Sequence, residues 1–213
     1  MNPADYDAWY ATPRGRWIGN TEYALAMRGL AARPGSTLLD VGCGTGWFTR
    51  RAAADGLLAT GLDRDPRALD FAHSHGGAAC GWAEGDATAL PFGDASFDHV
   101  MSIAALCFVE DEPRAVAEIV RVARRSFAIG WLNRASLLYR QKGRAGGSGT
   151  YRGARWHTAG ELRAFFAGLP VRALRVRSAV FLPSGTALAR RLEAAIPDAL
   201  PWGGMLIVSG LKT

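Results

Sequence analysis

Leu38-Leu39-Asp40-Val41-Gly42-Cys43-Gly44-Thr45-Gly46-Trp47-Phe48-Thr49-Arg50 decides how the rest of the chain is read. Leu38, Leu39 and Val41 form an apolar run of the length a buried parallel strand needs, and helix-compatible sequence resumes at Trp47. The three glycines between them can take positive φ and carry no Cβ, so the backbone can pass close to a ligand at a helix N-terminus. The stretch therefore predicts strand, tight turn and helix, with something polar bound at the turn. By itself G-x-G-x-G also fits a purely structural turn, so the downstream sequence has to decide.

A helix-length segment to about Asp55 is followed by a second apolar strand, Leu57–Leu62, that ends in Asp63. That spacing suits a carboxylate meeting the two hydroxyls of an adenosine ribose. Next come Gly85-Asp86-Ala87-Thr88-Ala89-Leu90-Pro91-Phe92 and a fourth strand, Ser96-Phe97-Asp98-His99-Val100-Met101-Ser102. In these residues and their order the chain resembles class I S-adenosylmethionine-dependent methyltransferases, especially the small-molecule branch that includes quinone-biosynthesis enzymes. The resemblance implies a Rossmann-like α/β open sheet with helices on both faces, mostly parallel, with a C-terminal antiparallel strand beside the fifth.

It also implies S-adenosylmethionine as cofactor and S-adenosylhomocysteine as product. Asp40 would fix the glycine turn and the amino-acid end of the cofactor, although it equally suits a cap on local backbone donors. Asp63 would take the ribose hydroxyls by charge-assisted hydrogen bonds. Asp86 and the Ala87 backbone would read the adenine edge. Tyr10, Gly42, Cys43, Gly44, Gly46, Arg64 and Ser102 complete the expected cofactor site.

At 213 residues the chain is expected to be one domain, with residues 1–33 an aromatic segment and helix and 133–157 a basic, glycine-rich variable segment. Hydrophobic content of 49% with 21% charged residues describes a globular protein rather than a disordered one. No run approaches the roughly 20 apolar residues of a membrane span. Met1–Asp7 lacks a signal-peptide layout, so a cytoplasmic location is expected. Cys43, Cys80 and Cys107 are scattered and odd in number, which predicts reduced thiols and no metal site.

Charge is divided unevenly. Through Glu112 there are 8 basic and 15 acidic side chains, and beyond it 17 and 4. Arg134, Arg140, Lys142, Arg144, Arg152 and Arg155 meet no acid before Glu161. Such a stretch suits an anionic substrate, a membrane surface or nucleic acid, or is simply a solvated loop.

Tyr6-Asp7-Ala8-Trp9-Tyr10-Ala11-Thr12-Pro13-Arg14-Gly15-Arg16-Trp17 is aromatic-rich and interrupted by Pro13 and Gly15. It is expected to pack on the core or over the cofactor and acceptor, hinging ahead of a helix from Asn20 to about Ala32. Further helices are expected from Asp65-Pro66 to about His75, Asp111 to about Ala123, Thr158 to about Ala167 and Leu188 to Ile196. Strands are expected at Ala78–Trp82, Ser126–Trp131, Arg172–Val180 and Gly204–Gly210. Thr158-Ala159-Gly160-Glu161 reads as a capping box.

Displacement at a sulfonium methyl needs alignment and exclusion of water, with a base only for a protonated acceptor. No serine–histidine–carboxylate grouping or metal motif stands out. If a base is used, His157 is the first candidate, followed by Tyr10, Tyr139 and Tyr151, while His157 also suits a packing role. Tyr6, Trp9, Phe108 and Trp131 are the candidate acceptor contacts. Ser102-Ile103-Ala104-Ala105 stands where base-amino methyltransferases carry an Asn- or Asp-Pro-Pro-aromatic motif, which disfavours a nucleic-acid amine. Phe108 replaces the histidine of many relatives and favours an apolar or aromatic acceptor. The leading expectation is methyl transfer to a small molecule; the alternatives are RNA modification or a cofactor-binding protein without catalysis. Oligomeric state is left open.

Overall fold

The computed structural model describes residues 2–76 and 79–213. Its centre is a seven-stranded sheet in the order β3-β2-β1-β4-β5-β7-β6. The strands are β1 (Thr37–Val41), β2 (Leu58–Asp63), β3 (Cys80–Glu84), β4 (Phe97–Ile103), β5 (Ala123–Leu132), β6 (Val171–Ala179) and β7 (Met205–Lys212). The first five run parallel, and β7 is antiparallel to both β5 and β6. This is the expected Rossmann-like sheet with its C-terminal antiparallel strand. Ala78, the expected start of the third strand, lies outside the described residues.

Crossover helices α3 (Trp47–Ala54), α4 (Pro66–Gly76) and α5 (Glu112–Val122) alternate with the strands, as parallel pairing requires. β1 is buried along Leu38–Val41, which is why its sequence runs apolar instead of alternating. In β5 neighbouring residues face opposite layers. Phe127 stacks on Phe166, after helix α6 (Ala159–Ala164), at 5.2 Å between centroids. A Cβ on Gly29 of helix α2 (Pro13–Leu30) would come within 4 Å of Ala128 and Ser209. Each fully buried side chain of α2, such as Leu25 or Leu30, contributes roughly 1.5 to 3 kcal/mol to this packing. A final helix, α7 (Ala187–Glu193), precedes β7. Thr158 and Glu161 form the expected capping box at the start of α6.

The N-terminal segment departs from expectation. Residues Pro3–Ala11 form helix α1, and α2 begins at Pro13, seven residues before Asn20. Proline at the first helical position forfeits no intrahelical hydrogen bond, and the Thr12 side chain caps the helix by accepting the Gly15 N–H at 3.0 Å. Gly15 sits where a Cβ would be 2.0 Å from the Trp9 carbonyl. Pro13 and Gly15 therefore make a tight, packed reversal between two helices, not a hinge.

Trp82 in β3 fills space left by three glycines distant in sequence. A Cβ on Gly46, Gly61 or Gly76 would lie 2.4, 2.7 or 2.4 Å from its six-membered ring.

Candidate active site

Sheet order reverses between β1 and β4, so a crevice opens beyond their C-terminal ends, the usual position of a ligand in such sheets. A cavity of about 560 Å³ lies there, lined by Gly42–Thr45, Asp63, Arg64, Gly85–Thr88 and Ile103–Leu106 among others. The Gly42 and Cys43 N–H groups donate to the Leu62 carbonyl at 2.7 and 3.0 Å, tying the turn to β2. Gly44 has φ +53°, and a Cβ there would meet no atom within 4 Å.

Asp63 stands at the end of β2 on the cavity wall. Its Oδ2 accepts the Gly44 N–H at 2.7 Å and its Oδ1 accepts the Asp65 N–H at 2.9 Å. One carboxylate thus latches the glycine turn to the start of α4, with a lone pair left on each oxygen. Asp86 accepts both the N–H and the hydroxyl of Thr88 at 2.7 Å, and these bonds hold its carboxyl below the usual range.

Asp40 is 1% exposed and absent from the cavity wall. Burial raises its carboxyl to about 7 against the hydrogen bond from the Thr49 hydroxyl at 2.7 Å. It braces the turn from beneath through α3 and touches no ligand space. Ser102 is likewise buried within β4, behind Ile103–Leu106. Cys43 lines the cavity, and burial pushes its thiol up, so it remains protonated. The three cysteines are free.

Over this floor lies α1. Tyr10 stacks on Trp47 at 4.5 Å and 15°, and the Tyr6 and Tyr10 hydroxyls are 3.3 Å apart. Tyr6, Tyr10, Ala104 and Phe108 also line a second cavity of about 410 Å³, whose wall includes Trp9, Ile18, Glu22, Leu138, Tyr151 and Met205. A larger cavity of about 850 Å³ between α2 and α7 is lined by none of the glycine-turn residues.

Two candidates fall elsewhere. Trp131 is fully buried and donates its indole N–H to Glu112 Oε2 at 2.9 Å. His157 Nε2 sits 3.0 Å from both oxygens of the same Glu112, with its ring edge-on to Phe165. Neither lines either cavity. A carboxylate buried at 3% exposure needs both partners, so they are committed to the core rather than to an acceptor. Sequence reasoning also passed over Thr45 and Glu22. The Thr45 hydroxyl is buried on the cavity wall without a hydrogen-bond partner. Glu22 is spaced i+4 from Ile18 and i−3 from Leu25, so an acid on the apolar stripe of a helix was the available signal.

Residues 39–126 match the family described as "Methyltransferase domain". An uncharacterized protein of Mycobacterium tuberculosis is 36% identical over 219 residues, covering 98% of this chain and 71% of that protein. The chain belongs to the class I S-adenosylmethionine-dependent methyltransferases. A malonyl-[acyl-carrier protein] O-methyltransferase of Erwinia pyrifoliae is 44% identical over 95 residues, which spans 44% of this methyltransferase and only 36% of that relative. A Thermotoga maritima structure described as a possible histamine N-methyltransferase shares the fold at TM-score 0.77 and 23% identity, covering 99% of this chain and 96% of its own.

The family cofactor is S-adenosylmethionine, and the residues of the first cavity fit it. The wall beside Gly44 has no Cβ, the carboxylates of Asp63 at the end of β2 and Asp86 just beyond β3 have acceptor capacity to spare, and an orphaned Thr45 hydroxyl awaits a polar partner. Among the described residues no cluster could hold a metal ion, and no helix is long and apolar enough to cross a membrane.

Proposed function

We propose that this chain transfers the methyl group of S-adenosylmethionine to a small acceptor with an apolar or aromatic body, bound in the second cavity. The observation that carries this reading is the common wall: Tyr6, Tyr10, Ala104 and Phe108 border both cavities, so two ligands would meet there. Bound in the first cavity, the cofactor supplies a methyl carbon already activated by its sulfonium. The chain's task is then alignment and exclusion of water. Gly44, Thr45, Asp63, Asp86 and Ala87 would hold the cofactor by its polar groups. Tyr6, Tyr10 and Phe108 would close the junction with ring faces that suit a cation and leave little room for solvent.

The test combines calorimetric titration of S-adenosylhomocysteine with transfer of labelled methyl from S-adenosylmethionine into a metabolite extract. Micromolar binding with label in a low-molecular-weight product is expected. Binding without any transfer would support a silent cofactor-binding protein, and absence of binding would overturn the reading. Label in RNA would move the acceptor to the RNA-modifying class.

A further inference from the structure

We infer that Glu22 is the general base of the second cavity and that the acceptor class is a small amine carried on an aromatic or apolar body, attacked at nitrogen. The inference rests on the proposed methyl transfer and assigns the acceptor's chemistry.

Glu22 lies midway along α2, is 9% exposed and contributes to the cavity wall. Among the described residues its carboxylate has neither a hydrogen-bond donor nor an ion-pair partner. In a site this shielded the ionised form is disfavoured, so the cavity-facing carboxyl stays neutral near pH 7 unless a ligand brings a cationic donor to it. The groups facing it are phenols: its charge raises Tyr6 and Tyr10 from α1 and Tyr151 from the 133–157 segment. The other charged groups on the wall are Asp5, Arg14 and Lys142. Arg14 directs its Nε–H to the Pro183 carbonyl at 2.7 Å, and none of the three contributes to the Glu22 shift.

Three features then select an amine. Only a cation bound beside Glu22 would favour its ionised form, and a carboxylate or phosphate acceptor would oppose it. Trp9 and the tyrosines offer π faces to a cation, and Ile18, Leu138 and Met205 offer apolar surface to the rest of the molecule. Burial raises Glu22 to about 8. An ammonium bound beside it would bring that value down and hold the carboxylate ionised, and shielding the pair from water disfavours both charges at once, which favours moving the proton from nitrogen to carboxylate.

The step balances. Glu22 takes one N–H proton from the bound ammonium, and the freed nitrogen lone pair forms the bond to the methyl carbon. The carbon–sulfur bond breaks as its electron pair stays on sulfur. The products are an N-methylammonium, S-adenosylhomocysteine and protonated Glu22, whose proton passes to water when the next ammonium binds.

Benzylamine, 2-phenylethylamine and tryptamine, each against the corresponding alcohol, serve as probes for calorimetry at pH 7 with and without saturating S-adenosylhomocysteine. At least one amine should bind about tenfold or more tighter than its alcohol. Because free Glu22 is mostly protonated at pH 7, amine binding should release close to one proton, read from the buffer-ionisation dependence of the heat. Glu22→Gln should abolish the amine preference and leave alcohol and S-adenosylhomocysteine binding intact. Labelled methyl should pass to the preferred amine in the wild type and not in the variant. Equal binding of all amines and alcohols to the wild type, a preference that survives Glu22→Gln, or amine binding without proton release would overturn the inference. Failure of S-adenosylhomocysteine to bind, with the Glu22-dependent amine preference intact, would instead overturn the methyltransferase reading.

Discussion

Alanine at each glycine of the turn separates ligand room from folding. Gly44 has φ +53°, and alanines elsewhere in the chain already adopt such values: Ala31 at 51° and Ala104 at 56°. A left-handed alanine costs roughly 1–2 kcal/mol. The added methyl at Gly44 meets no atom within 4 Å, and the residue lies on the cavity wall. At about 2–4 °C per kcal/mol for a chain of this size, Gly44→Ala should melt about 2–8 °C below the wild type and still fold. Its S-adenosylhomocysteine affinity, measured by calorimetry, should drop at least about tenfold, since the methyl occupies space the ligand needs. Gly42→Ala would set its methyl 2.3 Å from the Ala105 Cβ, and Gly46→Ala 2.4 Å from Trp82. Those variants should lose more stability than Gly44→Ala. Wild-type affinity in Gly44→Ala would mean that the turn does not face the cofactor, and wild-type melting of Gly42→Ala would refute the contact geometry.

Other outcomes follow from the same geometry. Asp63→Ala removes the acceptor of two backbone N–H groups as well as the expected ribose contact, so affinity should fall and stability decrease by about 1–3 kcal/mol; unaltered thermal melting would refute the latch. Thr45→Val should leave ligand-free stability unchanged, because its hydroxyl has no partner to lose, and weaken S-adenosylhomocysteine binding by about 0.5–1.5 kcal/mol; normal affinity would mean the hydroxyl is unused. Glu22 and Asp40 have folded-state values raised above their unfolded ones, to about 8 and about 7, so their share of stability is full below the unfolded values and lost as pH rises through the raised ones. Glu22→Gln should therefore match the wild type at pH 4 and exceed it at pH 9 by up to about 5 kcal/mol, at roughly 1.4 kcal/mol per pKa unit; parallel urea midpoints across that range would refute the burial argument. Deleting residues 1–11 should leave the sheet folded but weaken the cofactor complex, since Tyr10 no longer covers Trp47; intact affinity would show that α1 is dispensable for binding.

The parallel half of the sheet was legible because β1 and β2 are short apolar runs closed by a turn and followed by helices, and β4 leads by a short turn into the amphipathic α5. The antiparallel end came from family resemblance, as β6 and β7 alone do not state their direction. The start of α2 was misread because Pro13 looks like a breaker until Thr12 is seen as its cap. In the site, position along the strands was enough to bring Asp63, Asp86, Gly42 and Gly44 to one cavity, while Gly46 turns toward Trp82 and does not line it. It could not reveal that Asp63 also bonds Gly44, nineteen residues away, because that depends on how the turn folds back over β2. His157 and Trp131 looked available until Glu112 claimed both, a three-body arrangement drawn from separate elements. Glu22 was hidden by a general expectation that a glutamate on a helix points to water.

The indole of Trp82 binds the history of the chain as well as its core. Gly46 belongs to the glycine turn, Gly61 to a central strand and Gly76 to the end of a crossover helix, yet a Cβ on any of them would strike one ring, with Cys43 Sγ at 2.8 Å also closing on Gly61 and a φ of +79° also constraining Gly46. A mutation at any one of them is blocked while the ring remains, and shrinking the ring first leaves a void bordered by all three. Relatives should therefore divide into those with a large aromatic at this place and three glycines around it, and those with a smaller residue and at least one of the glycines filled. Gly76, whose nearest contacts are all with this ring, would then change with the interior of the protein, while the third glycine of the turn stays constrained by its own backbone.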